Sequence, residues 1–208
     1  MKAALDRREN QIDIKEENER EVKLLIRRIK DGDENAFTQL VHNYKSQVSS
    51  IAYKMVNDYD EAADIAQIVF LKMSKNLWRY DENKKFYTWL YRITVNASID
   101  YIRKNKRHKH ESFDQVYQAN LKSKDDSDNL YKSNTLYKEI NIAADTLNDK
   151  QRSAFILRDV EGSKISEVAS IMKMPEATVR WYLHRARTKI KKELKRNCPK
   201  LLIMFGIK

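Results

Sequence analysis

Apolar residues recur every three or four positions through most of this chain, the spacing that gathers them on one side of an α-helix. Val22, Leu25, Ile26 and Ile29 make the first such stripe, closed by Gly32, where glycine adopts a left-handed cap at little cost. Asp33 is a natural N-cap for a second helix. There Ala36, Phe37, Leu40, Val41, Tyr44, Val48, Ile51, Ala52 and Met55 keep helical spacing up to a turn at Asn57 and Asp58. A third helix, opened by Asp60, groups Ala62, Ile65, Ala66, Val69, Phe70, Met73 and Leu77 as its core stripe. That grouping leaves Asp64, Gln67, Ile68, Leu71 and Lys75 on the other side. Apolar side chains rimmed by Asp, Gln and Lys suit a partner-binding surface, although two scattered exposed apolar residues are also ordinary.

After Trp78 a polar loop, RYDENKK, leads into the stretch from Phe86 to Arg107, which runs without Gly or Pro and predicts one long helix. Phe86, Leu90, Ile93 and Ala97 fall on one side and Val95, Ile99 and Ile102 opposite, so this helix is wedged between neighbours. One stripe stays polar: Trp89, Arg92, Asn96, Asp100, Arg103 and Arg107 follow at intervals of three or four, with Tyr87 and Tyr91 beside them. Guanidinium groups grip phosphate, an amide pairs with a base edge, and aromatic faces stack on unpaired bases. Taken alone, a core helix with a solvated basic end explains the stretch equally well.

Periodicity lapses over residues 108–132, rich in Ser, Asp, Asn and Lys, which read as a linker between two domains. His108 and His110 there are two positions apart with no third ligand and read as solvated histidines. The pattern resumes with Leu136, Ile140, Ala143, Ala144 and Leu147, then a helix capped by Asn148 or Asp149, carrying Ala154, Phe155, Ile156 and Leu157 and ended by Gly162. A helix-turn-helix follows. Its short first helix turns Ile165, Val168, Ala169 and Met172 inward. A turn at Lys173 and Met174 leads to Pro175, which opens a longer helix with Val179, Tyr182, Leu183, Ala186 and Ile190 inward. Arg180, Trp181, His184, Arg185, Thr188 and Lys192 face out, the arrangement of a helix that enters a major groove. Trp181 has one donor and no acceptor, so it is expected to pack on a thymine methyl or sugar edge and not to read a base.

Composition strengthens the nucleic-acid reading. The 208 residues carry a formal net charge of +11, with 3 Gly and 2 Pro in all, which favours an all-helical fold. The charge is clustered. Lys84 to His110 holds eight Lys or Arg against Asp100 alone, and Pro175 to Arg196 holds eight against Glu176 and Glu193, giving +7 and +6. Two such patches suggest two contacts on one polyanion. Cys198 is the only cysteine, which excludes an internal disulfide and a cysteine-built zinc site. The run Leu201 to Phe205 is too short for a signal-peptide core, and no segment is long enough to span a bilayer, so a soluble, cytoplasmic protein is expected. No cluster of carboxylates, histidines or an activated nucleophile supports catalysis, and no cofactor, metal or small-molecule substrate is expected.

Three stretches, DYDEAADIAQIVFLKM, KFYTWLYRITVNASIDYIRKNKR and EGSKISEVASIMKMPEATVRWYLHRARTKIKKEL, resemble in order and spacing the bacterial sigma factors of the extracytoplasmic-function group, those similar to sigma-W and sigma-E. The resemblance covers about residues 20 to 195. It implies a promoter-specificity subunit of RNA polymerase with two small helical domains joined by a flexible linker. The implied order is a frayed charged extension (1–20), region two (21–107), the linker (108–132), region four (133–196) and a short apolar tail (197–208). Region two would bind the polymerase clamp and the minus-ten element. Region four, with contacts to the flap, would bind the minus-thirty-five element.

The family's clamp motif, Asp-x-x-Gln-Glu-x-Phe, maps onto Asp64, Gln67, Ile68 and Phe70, with Ile68 in place of Glu, and Leu71 shares its outward stripe. The minus-ten face maps onto Trp89, Asn96, Asp100 and Arg103, the loop from Arg79 to Lys85 would cup a flipped base, and Arg92 and Ile93 stand where primary sigma factors carry a tryptophan pair. The recognition-helix readers map onto Arg180, Trp181, His184 and Arg185, with Trp181 replacing a usual small residue and Tyr182 a usual Arg. The resemblance further implies an anti-sigma partner. A helix-turn-helix regulator acting without core polymerase is the alternative. It explains Ser163 to Arg196 but leaves the Phe86–Arg107 helix and the Asp64–Leu71 surface without a role.

Overall fold

The computed structural model describes residues 19–109, 139–140, 142–197 and 199, and every regular element among them is helical. The charged extension, most of the linker, Leu136, Cys198 and the apolar tail lie outside the described residues. Those that are described divide into two compact units, one of residues 19–53 and 58–97, the other of residues 54–57 and those from 98 onward.

The first unit is built from α1 (residues 19–30), α2 (Glu34–Val56), α3 (Tyr59–Asn76) and the opening turns of α4 (Phe86–Lys109). Helix α1 includes residues 19 and 20, which the sequence pattern assigned to the extension. Its stripe buries Val22, Leu25 and Ile26, while Ile29 is half-buried. Gly32 then turns the chain at φ +92°, and the Asp33 carboxylate caps α2 by accepting the Ala36 amide at 3.0 Å, as its place in the sequence predicts. The Arg28 guanidinium donates to the same carboxylate at 2.7 and 2.9 Å. These bonds, the Ala36 amide first, hold the Asp33 carboxyl below its usual range.

Helix α3 starts one residue before the expected Asp60. Asp58 is its cap, with extended backbone and a carboxylate accepting from the amides of Asp60 and Glu61 at 2.9 Å. Asp60 instead sits in the first turn, where its charge complements the helix dipole. Leu40, Val48 and Ile51 of α2 and Ile65, Val69 and Met73 of α3 are fully buried in the core. Four rings close one end of that core: Tyr44 meets Phe86 edge-on at 5.1 Å, and Tyr80 meets Phe86 and Trp89 at 5.4 and 5.5 Å. A polar loop was expected at Tyr80, but this ring is buried and its hydroxyl donates to the Lys84 carbonyl. Burial pushes the Tyr80 phenol up to about 12.

The second unit contains the end of α4, α5 (described at residues 139–140 and 142–145), α6 (Asp149–Phe155), α7 (Ile165–Met172) and α8 (Glu176–Asn197). Ala143, Ala144 and Leu147 pack with Ala186, Ile190 and Leu194 of α8, flanked by Ile140 and Phe155. Of the two candidate caps, Asn148 holds α6: its side chain accepts the Gln151 amide at 2.9 Å and the Gln151 side chain accepts the Asn148 amide at 3.3 Å. Helix α6 then widens into a π-helical turn, Ile156–Val160, before Gly162 at φ +73° ends the segment. On α7, Ile171 is buried with Val168 and Ala169, whereas Met172, expected inward, is only half-buried. A difference of one residue turns the helix by 100°, and packing against α8 settled which of the two neighbours went in. Lys173 takes the left-handed conformation at φ 52° and reverses the chain into α8.

Candidate functional site

Three exposed surfaces carry the candidate residues, one on each of α3, α4 and α8.

On α3, Asp64, Gln67, Ile68 and Leu71 all face solvent, whereas Phe70 is half-buried at the edge of the core. Ile68 is 39% and Leu71 60% exposed, on a helix whose other side buries Ile65, Ala66, Val69 and Met73. The stripe continues to a residue that sequence reasoning left out. Trp78, seven positions beyond Leu71 and so nearly in line with it, is 64% exposed in the 3-10 turn Leu77–Arg79. The Arg79 guanidinium lies 4.4 Å from its ring centroid, and its indole N–H donates to the Lys75 carbonyl at 2.9 Å. The seven-residue spacing was the signal that points to it.

On α4 the polar stripe is less open than its composition suggests. Asn96, Asp100 and Arg103 are exposed, but Tyr87, Trp89 and Arg92 are half-buried. Trp89 is wedged against Phe86 at 5.6 Å and Tyr80 at 5.5 Å, which fixes its ring and leaves part of it accessible. Tyr87 and Tyr91 meet edge-on at 5.7 Å, with the Lys85 ammonium 5.7 Å from the Tyr87 ring. The Nε of Arg92 is buried without a hydrogen-bond partner among the described residues. The Arg107 side chain lies outside the described residues. Small polar residues line the buried side of α4: Thr88, Thr94 and Ser98 are buried, and the Thr94 hydroxyl donates to the Leu90 carbonyl at 3.0 Å.

The loop before α4 is pinned at both ends. Asp81 accepts the Asn83 amide at 3.0 Å, an Asx turn that is the chief cause of its lowered pKa. Glu82 reaches back to α1, where Lys30 and Arg27 donate to it at 3.0 and 3.2 Å. Its pKa is lowered chiefly by the Lys30 bond.

On α8, Arg180, Trp181, His184, Arg185 and Thr188 are all exposed, and Tyr182 is half-buried. Of the four arginines of this helix, Arg196 lies in the last turn beside Glu193 at 3.0 Å, and the other three differ in what holds them. Arg180 pairs with Glu176 one turn earlier at 2.7 Å. Arg187 makes a forked pair with Asp159 at 2.8 and 2.5 Å, and these bonds raise its pKa. Asp159 comes from the π-helical turn, 28 residues away, so no local spacing announces the pair. The Arg185 guanidinium instead lies over the Trp181 ring, 4.9 Å from its centroid. The Thr188 hydroxyl is turned back to the His184 carbonyl at 2.9 Å.

Among the described residues no group of three or more His, Cys, Asp or Glu side chains gathers as a metal site, and no helix is long and apolar enough to cross a membrane.

Comparison with known proteins matches two stretches of the chain. The family model for sigma-70 region 2 matches residues 40–108, and that for sigma-70, region 4 matches residues 139–190. The ECF RNA polymerase sigma factor SigW of Bacillus subtilis (strain 168) is 32% identical over 185 residues, covering 84% of this chain and 97% of that relative. The ECF RNA polymerase sigma-E factor of Escherichia coli (strain K12) is 32% identical over 174 residues, covering 80% and 91%. Two solved structures share the fold. CnrH in complex with the cytosolic domain of CnrY matches at TM-score 0.63 and 19% identity, over 85% of this chain and 99% of that one. The sigma factor RpoE in complex with the anti-sigma factor NepR, from Bartonella quintana, matches at 0.59 and 21%, over 77% and 98%.

Proposed function

This chain belongs to the sigma-70 family, in its extracytoplasmic-function group, and from that premise we propose how its surfaces divide the work of a promoter-specificity subunit of RNA polymerase. Residues 21–107 act as region two and residues 133–196 as region four, with residues 108–132 as the linker between them. Helix α3 docks on the core-polymerase clamp through Asp64, Gln67, Ile68 and Leu71, with Phe70 bracing the stripe from the core side. Helix α4 engages the minus-ten element through Tyr87, Trp89, Arg92, Asn96, Asp100, Arg103 and Arg107. Helix α8 enters the major groove at the minus-thirty-five element with Arg180, Trp181, His184, Arg185 and Thr188. The protein works without catalysis or cofactor, in the cytoplasm where polymerase and promoter are found. Its docking surfaces are held by an anti-sigma factor when it is idle, a reading supported by the fold it shares with a sigma factor solved in complex with an anti-sigma factor.

The observation that carries the reading is the two-sided α3. Exposed Ile68 and Leu71 stand outward on a helix whose opposite stripe is already satisfied by the core, so burying them requires another molecule. Leu71→Arg places charge and bulk there without touching the core. It should weaken binding to core polymerase at least about 10-fold while leaving the unfolding transition unchanged. Unchanged affinity in a fluorescence titration with core enzyme would remove the clamp assignment.

A further inference from the structure

Three of the four arginines of helix α8 lie before its last turn, and their surroundings leave them unequally ready to read DNA. Arg187 is tied off by the forked pair with Asp159, and Arg180 spends a donor on Glu176. Arg185 makes no hydrogen bond or ion pair among the described residues, yet it is not loose. Its guanidinium lies over the Trp181 indole at 4.9 Å, and Trp181 is braced from the side by Tyr182, with ring centroids 4.9 Å apart at 75°.

A cation held over a ring is attracted by the ring's quadrupole and not through a hydrogen bond, so the contact consumes none of the guanidinium's donors on a protein acceptor. The N–H groups lie in the plane of the fork, so an arginine resting on a ring keeps all five for a ligand. An unsupported arginine on a helix surface samples many rotamers, and ordering it on binding costs much of what its hydrogen bonds return. The ring removes part of that cost beforehand. Trp181 is 51% exposed even with Arg185 on it, so an indole here adds little to the core and covers its neighbour one turn on.

We propose that Arg185 is the base-reading arginine of α8 and that Trp181 is its positioning residue, holding the guanidinium extended so that it meets the O6 and N7 of a guanine in the minus-thirty-five element. This rests on the assignment of α8 as the minus-thirty-five helix. It makes base preference at one position depend on an aromatic residue that forms no hydrogen bond to a base. Arg180, paired to Glu176 at the start of the helix, contributes charge toward the phosphates and not sequence choice.

The test is run-off transcription by holoenzyme reconstituted with the full chain, over a promoter library randomised at the minus-thirty-five element. The variants are Arg185→Ala, Trp181→Leu, Trp181→Phe and the Arg185→Ala/Trp181→Leu double. Arg185→Ala should reduce discrimination at one base pair on the order of 10- to 100-fold. Trp181→Leu should reduce discrimination at that same base pair about two- to five-fold. In the Arg185→Ala background it should do nothing further, since there is then no fork to hold. Trp181→Phe, which keeps a ring face, should retain most of the preference.

An additive double variant, or a Trp181→Leu effect spread over all sequences or moved to another base pair, overturns the positioning role. So does sequence choice that changes with Arg185→Ala but not with Trp181→Leu, an outcome that leaves α8 as the reader. Sequence choice unchanged by any of these variants overturns Arg185 as the reader, and sequence choice unchanged also in an Arg180→Ala/His184→Ala/Arg185→Ala triple variant overturns the assignment of α8 itself.

Discussion

Helix α4 holds its polar stripe partly inside the protein, whereas α8 holds its stripe out in water, although both helices are strongly basic. On α4 Trp89 is locked into a cluster with Tyr80 and Phe86, and Arg92 is half-buried. On α8 all five candidate readers are exposed, and order comes from pairs along the surface, Glu176 with Arg180 and Trp181 with Arg185. The difference suits the proposed targets. An unpaired base needs a fixed flat surface, which only a packed ring provides, while a closed duplex needs protruding forks that reach into a groove.

The largest test of this contrast is stability. Phe86→Ala empties a site in the aromatic cluster and should cost about 3–5 kcal/mol. Trp181→Ala removes an exposed ring and should stay within about 0.5 kcal/mol of wild type. Urea unfolding of the two variants decides it, and similar losses in both would mean that α8 is packed much as α4 is.

A smaller effect separates platform from scaffold on α4. Trp89→Ala should slow promoter opening on duplex DNA about 10-fold, in keeping with the loss of one base stack, and much less on a template already melted across the minus-ten element. Equal defects on both templates would assign Trp89 to folding alone.

The smallest effect lies in the loop before α4, which ion pairs tie to α1. Glu82 has its pKa depressed below the ordinary 4.5 by Lys30 and Arg27, so the tether is at full strength above that value and is lost as pH falls through the lower folded value. Amide exchange around residues 81–85, corrected for intrinsic rates, should therefore quicken on acidification below about 4.5. The double variant Lys30→Gln/Arg27→Gln should already be fast at neutral pH.

What the sequence alone determined was everything written in local spacing. The helices, the Asp33 cap, the Gly32 turn, the capping residues before α6 and the outward stripe of α3 follow from intervals of three and four and from which side chains accept an amide one turn ahead. The glutamate–arginine pair on α8 and the tryptophan beneath Arg185 are also four residues apart, but sequence reasoning did not pair them and set Trp181 against DNA alone. Tertiary structure decided what periodicity leaves undetermined: how deep each side of a helix goes, and which distant residue meets it. It drew Tyr80 out of a polar loop into the core, half-buried Trp89 and Arg92, chose Ile171 over Met172, and set Asp159 against an arginine 28 residues away. A helical repeat fixes the angle of each side chain about its own axis, but the partner that covers it is supplied by chain remote in sequence.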